Sequence, residues 1–323
     1  METKKFSNKD LAEAAALIQE GEVVAFPTDT VYGLGADARN EEAVQKIFTA
    51  KKRPANRALS ILLADPLEMN HYVEEIPEAA QLLVQEFWPG PLTIVLKSKD
   101  LLADAVNPGL DTVGMRMPNH SLALEFIQKC GFPLATPSAN LSGRPSPSSA
   151  DHVLADLDGR IAGVIDGGES DLGIESTVLD LSNPEKPVIL RPGGIRKSQI
   201  EQVIARKVEK KETNYEENKH YEPETPLYLV ESSWPEAMEK MTDEKIAILA
   251  SEETSRKYAE QAIKTYSLGD KEDINQANKL FFKGLRALEH SEASVILAES
   301  YPASEKNHAY MNRLEKAAQN KRI

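Results

Sequence analysis

The chain of 323 residues contains one cysteine, Cys130, so an intrachain disulfide is excluded. Its six histidines are scattered and show no Cys/His pairing at metal-ligand spacing, so no structural zinc is expected. No apolar run approaches the ~18 residues that a membrane helix needs. Met1 to Phe6 lacks the apolar core of a secretory signal, and a soluble, cytoplasmic protein without membrane association is expected. Positive charge is in deficit: 38 Lys and Arg stand against 51 Asp and Glu, a formal net charge of -13. Residues 1–200 and the remainder are both acidic. A protein that grips nucleic acid along its phosphates needs a basic face, so stable, tight nucleic-acid binding is not expected, although a small local basic site is compatible with this balance. The phosphate-loop pattern G-x-x-x-x-G-K-[ST] is absent, which removes the commonest NTPase class.

What is present is an ordinary globular composition, 41% hydrophobic and 28% charged, in a chain long enough for two domains. Ser7 to Asp10 reads as a helix start, and Leu11, Ala14, Ala15, Leu17 and Ile18 recur at helical spacing until Gly21. Val23–Phe26 reads as a buried strand, and Glu41–Lys51 as a helix with acids in its first turn and Pro54 beyond its end. Further strands are expected at 59–63, 92–96, 112–117, 133–135, 164–165, 177–181 and 188–190, with helices near 77–87, 119–130 and 197–206. Residues 207–226 are polar, charge-dense and poor in aliphatics, the composition of a linker. Beyond them strands at 227–230, 246–250 and 294–298 alternate with helices at 236–241, 254–263, 274–289 and the C-terminus, as in a small open parallel sheet.

Several stretches can carry chemistry. Gly33-Leu34-Gly35-Ala36-Asp37-Ala38 fits a dinucleotide fingerprint, but the acid expected about 20 residues on is replaced by Lys51-Lys52-Arg53-Pro54, so that reading is set aside. Lys51, Lys52, Arg53 and Arg57 form the densest cationic cluster of an acidic region. Cations at a helix C-terminus also simply complement its dipole. If the chain is extended after the helix, Lys51 and Arg53 project to one side and offer a lysine and a forked arginine to a polyphosphate. Arg116 and Arg191 sit at strand ends, where open α/β sheets place ligands. Thr136-Pro137-Ser138-Ala139-Asn140, Gly173–Thr177 and Pro27–Gly35 are small-polar loops beside strands, readable either as turns or as ligand-facing hydroxyls and amides. Cys130 lies in an apolar helix and reads as a small hydrophobe, and no other nucleophile is evident.

Phe26–Gly35, Ala50–Pro54, Trp88–Thr93, Leu110–Val113, Pro137–Asn140 and Leu190–Gly193, in that order, resemble the motifs of the threonylcarbamoyl-AMP synthase family, the YrdC-like enzymes of tRNA modification, across nearly all of residues 10–200. Lys219-His220-Tyr221 and Met311–Ala318 resemble the linker signature and terminal helix of the family's longer form. The resemblance implies a YrdC-like twisted, mixed, open sheet with helices over residues 7–206, a linker at 207–226 and a smaller, Rossmann-like α/β domain at 227–323. It implies a nucleotidyltransferase that makes threonylcarbamoyl-adenylate and pyrophosphate from L-threonine, bicarbonate and ATP, for a separate transferase that modifies tRNA. By matching motifs, Lys51 and Arg53 are the expected catalytic residues. ATP contacts are expected at Lys51, Arg53, Arg57, Thr112, Ser138, Ser146, Arg191 and Tyr221, and threonine contacts at Thr30, Arg116, Thr136 and Ser176. ATP is expected as a substrate with magnesium, whose ligands are unassigned. Two departures stand out: Leu62 occupies a strand position where the family often has histidine, and Asn214–Asn218 replaces the usual Pro-Gly-Met before the His-Tyr pair. The alternatives are a non-catalytic nucleotide- or RNA-binding domain of the same fold, or a carbamoyl-adenylate-handling domain of a larger maturation enzyme.

Overall fold

The computed structural model describes residues 2–211, 221–231 and 233–323. The expected His220 and the altered stretch Asn214–Asn218 lie outside the described residues. The chain divides into two compact units, one of Met1–Ser142, Pro147–Asp171 and Glu175–Glu212, the other of Gly143–Ser146, Leu172–Ile174 and Thr213–Ile323. No helix among the described residues is long and apolar enough to cross a membrane.

In chain order the first unit contains β1 (Lys4–Phe6), α1 (Leu11–Gln19), β2 (Val24–Phe26), β3 (Gly33–Asp37), α2 (Glu41–Lys51), β4 (Ser60–Leu62), α3 (Met69–Tyr72), α4 (Glu78–Phe87), β5 (Leu92–Lys97), β6 (Thr112–Arg116), α5 (Ser121–Cys130), β7 (Leu134–Ala135), α6 (Ala150–Leu157), β8 (Gly163–Ile165), β9 (Thr177–Asp180), β10 (Val188–Arg191), α7 (Lys197–Ile204) and β11 (Glu209–Lys210). The strands form one sheet in the order β1-β8-β2-β3-β7-β4-β6-β5-β9-β10-β11. Parallel and antiparallel pairs mix, as the sequence resemblance implies: β4 runs parallel to β6, β6 antiparallel to β5, and β5 parallel to β9. Side chains alternate across these strands. Ile61, Leu92, Ile94, Leu96, Val113, Met115 and Leu179 fill one core, which leaves Ser60, Thr93, Gly114 and Arg116 for the opposite face.

Helix α2 shows how local sequence places a charged residue inside the protein. Asn40 caps its start by accepting from the Ala43 amide, and Glu41 and Glu42 complement the positive end of the dipole. Its inward stripe runs Ala43, Val44, Ile47, Phe48 and, one turn later, Lys51. Lys51 therefore lands where helical periodicity demands a core residue, and it is only 1% exposed. Lys52 comes next in the left-handed conformation with φ 50°, so the chain turns after the helix instead of extending, contrary to the expected geometry of residues 51–53.

Other elements depart from the sequence reading. Gly33–Asp37, expected as loop, is β3, antiparallel to β2. Its glycines are steric: a Cβ on Gly33 would lie 2.4 Å from Thr136 Cγ2, and one on Gly35 2.8 Å from Phe26 Cε1. The dinucleotide-like glycines are thus part of a strand. The N-terminus contributes β1, parallel to β8, before α1 begins. The unexpected α6 starts from Ser149, whose hydroxyl accepts from the His152 amide. Glu209–Lys210, within the stretch expected as linker, pairs with β10 as β11.

The second unit contains β12 (Leu227–Val230), α8 (Trp234–Lys240), β13 (Ile246–Ala250), α9 (Glu252–Lys257), β14 (Lys264–Ser267), α10 (Ile274–Glu289), β15 (Val295–Glu299) and α11 (His308–Ala317). Its sheet runs β12-β15-β13-β14, parallel throughout, as the alternation of elements predicts. The helix expected to reach residue 263 ends at Lys257, and β14 comes after it at the sheet edge.

Replacing Ile94, fully buried at the centre of β5, by alanine should cost about 2–5 kcal/mol through lost burial and a residual cavity. The check is a lower urea midpoint with an unchanged denaturant slope. An unaltered midpoint would show that this sheet face is not the core.

Candidate active site

The polar face of the first unit's sheet is organised around Arg116, the last residue of β6. Extending the β5–β6 register by one pair beyond Ile94 and Met115 sets Thr93 opposite Arg116. Gly114 leaves room on the same face, where an added Cβ would meet Ser60 Oγ at 3.0 Å and Thr93 Cγ2 at 3.2 Å. Arg116 is buried, with Nε donating to the Gly90 carbonyl at 3.0 Å, Nη1 to Thr30 Oγ1 at 2.8 Å, and Nη2 to Asp29 Oδ1. Burial lowers its pKa, Asp29 opposes that shift, and nearby Arg191 adds to it. A guanidinium has five N–H groups. Among the described residues three are engaged in these contacts, which leaves one on each terminal nitrogen, the number a carboxylate takes in a bidentate grip.

The hydroxyls beside Arg116 can be oriented by counting protons. Thr28 Oγ1 donates to the Val31 carbonyl at 2.7 Å, which uses its single hydrogen. The 2.9 Å contact between the Thr28 and Thr30 hydroxyls must then run from Thr30 to Thr28. Thr30 Oγ1 also accepts from Arg116, so it can meet a ligand only as an acceptor. Asp29, 4% exposed, has Oδ1 on Arg116, while its Oδ2 is buried with no hydrogen-bond partner among the described residues. An acceptor left so costs about 1–3 kcal/mol.

Further cations approach from other elements. Lys51 Nζ donates to the carbonyls of Ser138 and Asn140. Burial, with Arg53 second, drives its pKa well below the ordinary lysine value. Arg53 donates to the Ala58 carbonyl at 3.0 Å, and its Nε is buried with no partner among the described residues. Burial, then repulsion from Arg57 and Arg191, brings its pKa down to about 10. Arg191, at the end of β10, donates to the Ser176 carbonyl and hydroxyl, each at 3.1 Å. Ser176 in turn contacts Thr93 Oγ1 at 2.8 Å. Lys51, Arg53, Arg57, Arg116 and Arg191 are thus linked by their mutual fields, although they come from widely separated parts of the sequence.

Thr136 lies beside β4, its amide donating to the Ser60 carbonyl at 2.8 Å and its hydroxyl to Leu134. Ser138 bridges Gly33 across the sheet. Thr112 opens β6, four residues and roughly 13 Å from Arg116 along the strand. Ser146 and Tyr221 fall in the second unit. There Ser146 is fully buried next to Pro145, whose carbonyl accepts from Arg286, and Tyr221, with φ 63°, packs its ring 5.0 Å from that of Phe282. Leu62 belongs to an apolar cluster with Phe26, Phe126 and Leu134, so the missing histidine is replaced by packing. Burial pushes the Cys130 thiol up to about 12, which agrees with an inert thiol.

Sequence reasoning passed over Asp29, Thr93 and the Gly90 carbonyl. Asp29 alone carried a signal, as the single acid in a small-polar loop after a strand. The site has two unspent donors on Arg116, further cations around Arg53, and acceptors at Asp29 and Thr30. It can hold a polyanion beside a smaller group that carries both a carboxylate and N–H donors.

Two family models together span the chain: one described as "Telomere recombination" matches residues 16–193, and one described as "Threonylcarbamoyl-AMP synthase, C-terminal domain" matches residues 195–319. A curated threonylcarbamoyl-AMP synthase of Bacillus subtilis (strain 168) is 43% identical, covering 98% of this chain and 95% of its own length. One from Pyrococcus abyssi is 40% identical, with 94% and 93% covered. A crystal structure of P. abyssi Sua5 complexed with L-threonine superposes with a TM-score of 0.89 at 37% identity, over 100% of this chain and 99% of that one. With both models matched and identity of this level sustained over the full length, the chain belongs to the threonylcarbamoyl-AMP synthase family and is an enzyme.

Proposed function

We propose that the protein condenses L-threonine, bicarbonate and ATP into threonylcarbamoyl-adenylate, releasing pyrophosphate and water, and that it does so in the cytoplasm for a separate enzyme that modifies tRNA. The observation that carries this reading is the chain of mutual charge effects that links Lys51, Arg53, Arg57, Arg191 and Arg116 in an otherwise acidic protein. Residues 7–206 form the catalytic domain in this reading, with 207–226 as linker and 227–323 as the additional α/β domain. Within the first unit, ATP is held by Lys51, Arg53, Arg57, Thr112, Ser138 and Arg191, and threonine by Thr30, Arg116, Thr136 and Ser176.

The chemistry asks little covalent work of the protein. Threonine nitrogen first attacks the carbon of bicarbonate; as the N–C bond forms a C–O bond breaks, and hydroxide leaves as water with the proton lost from nitrogen, giving a carbamate. A carbamate oxygen then attacks the α-phosphorus, and the bond to the pyrophosphate oxygen breaks. Negative charge grows on the transferring phosphoryl and leaving groups, where fixed cations in a dry site stabilise it. Lys51 spends two of its three donors on carbonyls, and the third is available to a phosphate. Arg53 Nε offers another buried donor.

Magnesium commonly accompanies ATP through phosphate oxygens and water. Among the described residues no group of three or more His, Cys, Asp or Glu could hold a metal, and the site's carboxylate, Asp29, is paired with Arg116. The residues described do not fit a resident metal site.

Pyrophosphate release should require ATP, bicarbonate and L-threonine together, and should fall by about 10²-fold or more in Lys51→Ala and Arg53→Ala. Release without threonine would overturn the assignment. The depressed Lys51 pKa generates a second expectation. Once the ammonium deprotonates, its attraction for phosphate is lost. Affinity for a non-hydrolysable ATP analogue should therefore weaken with rising pH before the ordinary lysine value of about 10.4 is reached. Lys51→Arg, charged throughout, should lack that early decline. Titration calorimetry across the pH series would decide; parallel profiles for both proteins would contradict the role of Lys51.

A further inference from the structure

We infer that Asp29 is a specificity-determining residue, its Oδ2 accepting an N–H from the α-amino group of the amino-acid substrate. The inference rests on the reading of Arg116 and Thr30 as threonine contacts. Arg116 has two unspent N–H groups, and neighbouring residues Asp29 and Thr30 each bind one of its terminal nitrogens. Both groups thus gather around one guanidinium. The proton count leaves Thr30 Oγ1 able only to accept from a ligand, and Asp29 Oδ2 is a buried acceptor with no partner among the described residues. Two donors beside two acceptors match the two ends of an α-amino acid, whose carboxylate accepts and whose amino group donates, separated by a single carbon. An α-hydroxyl in place of the amino group offers only one hydrogen to the two acceptors. Before the carbamate forms, the amino group must also lose a proton. The neutral amine still has N–H groups to donate, so Asp29 holds the nitrogen in place whether or not it carries charge.

The test compares L-threonine with its α-hydroxy analogue, a 2,3-dihydroxybutyrate of matching stereochemistry, by titration calorimetry on the full chain. Wild-type protein should bind L-threonine at least about tenfold more tightly than the analogue, because a site built to accept hydrogen bonds rejects ligands that lack them. Asp29→Asn preserves shape and should shrink that preference to about threefold or less, as a neutral amide is the weaker acceptor. Equal wild-type affinity for the two ligands would overturn the inference without any variant. An undiminished preference in folded Asp29→Asn would overturn it as well, and leave Asp29 as a support for Arg116. Failure of the wild-type protein to bind L-threonine at all is a different result, and it would sink the synthase reading itself.

Discussion

A buried arginine held on three sides governs the first unit's polar face. Arg116 ends the strand whose other side, Val113 and Met115, lies in the core, so its position is fixed by packing as much as by hydrogen bonds. Gly90, Thr30 and Asp29 satisfy three of its N–H groups. Removing one partner from such a buried pair costs about 3–5 kcal/mol, because the remaining charge is stranded. The guanidinium is therefore pre-oriented before any ligand arrives, and little side-chain entropy remains to be lost on binding.

Around this fixed point the protein gathers charges that repel one another. Arg57 and Arg191 both disfavour the charged form of Arg53, Arg53 that of Lys51, and Arg191 that of Arg116. The arrangement opposes folding and favours anions. For Lys51 the folded-state pKa is depressed, so below its unfolded value the unfolded chain binds the proton more readily, and this residue's contribution to stability declines as pH falls through the folded pKa. Functional sites commonly hold such destabilising groups, which the rest of the fold must offset. Here the offset lies in the core of the first unit, where Ile61, Ile94, Met115 and Leu179 are fully buried.

Much of the scaffold was legible in the sequence because period and burial agree there. Glu41–Lys51 and Ile274–Glu289 have clear helical stripes and cap signals, and the structure gives both with those limits. β3 was hidden because its glycines, needed for clearance against Thr136 and Phe26, have the composition of a turn. Short β1, β11 and β14 gain their order from sheet partners and not from local pattern. The candidate site was less legible still. Lys51 and Arg53 stand out as a cluster, but nothing in residue spacing brings Arg116 and Arg191 to them; family resemblance suggested that and sheet order produces it. The burial of Lys51 is a consequence of helical phase, visible in the sequence but masked by the expectation that a terminal lysine faces solvent. Asp29 was overlooked because its role depends on a partner 87 residues away.

Arg116→Lys is the most direct probe of the organisation around this site, since lysine keeps the charge and loses the planar fork. In the folded variant, calorimetry should show L-threonine affinity reduced at least about tenfold, because a point charge cannot reproduce the bidentate grip, while affinity for an ATP analogue stays within about twofold of wild type. Unchanged threonine affinity would contradict the placement of the carboxylate on Arg116, and with it the view that this residue organises the site.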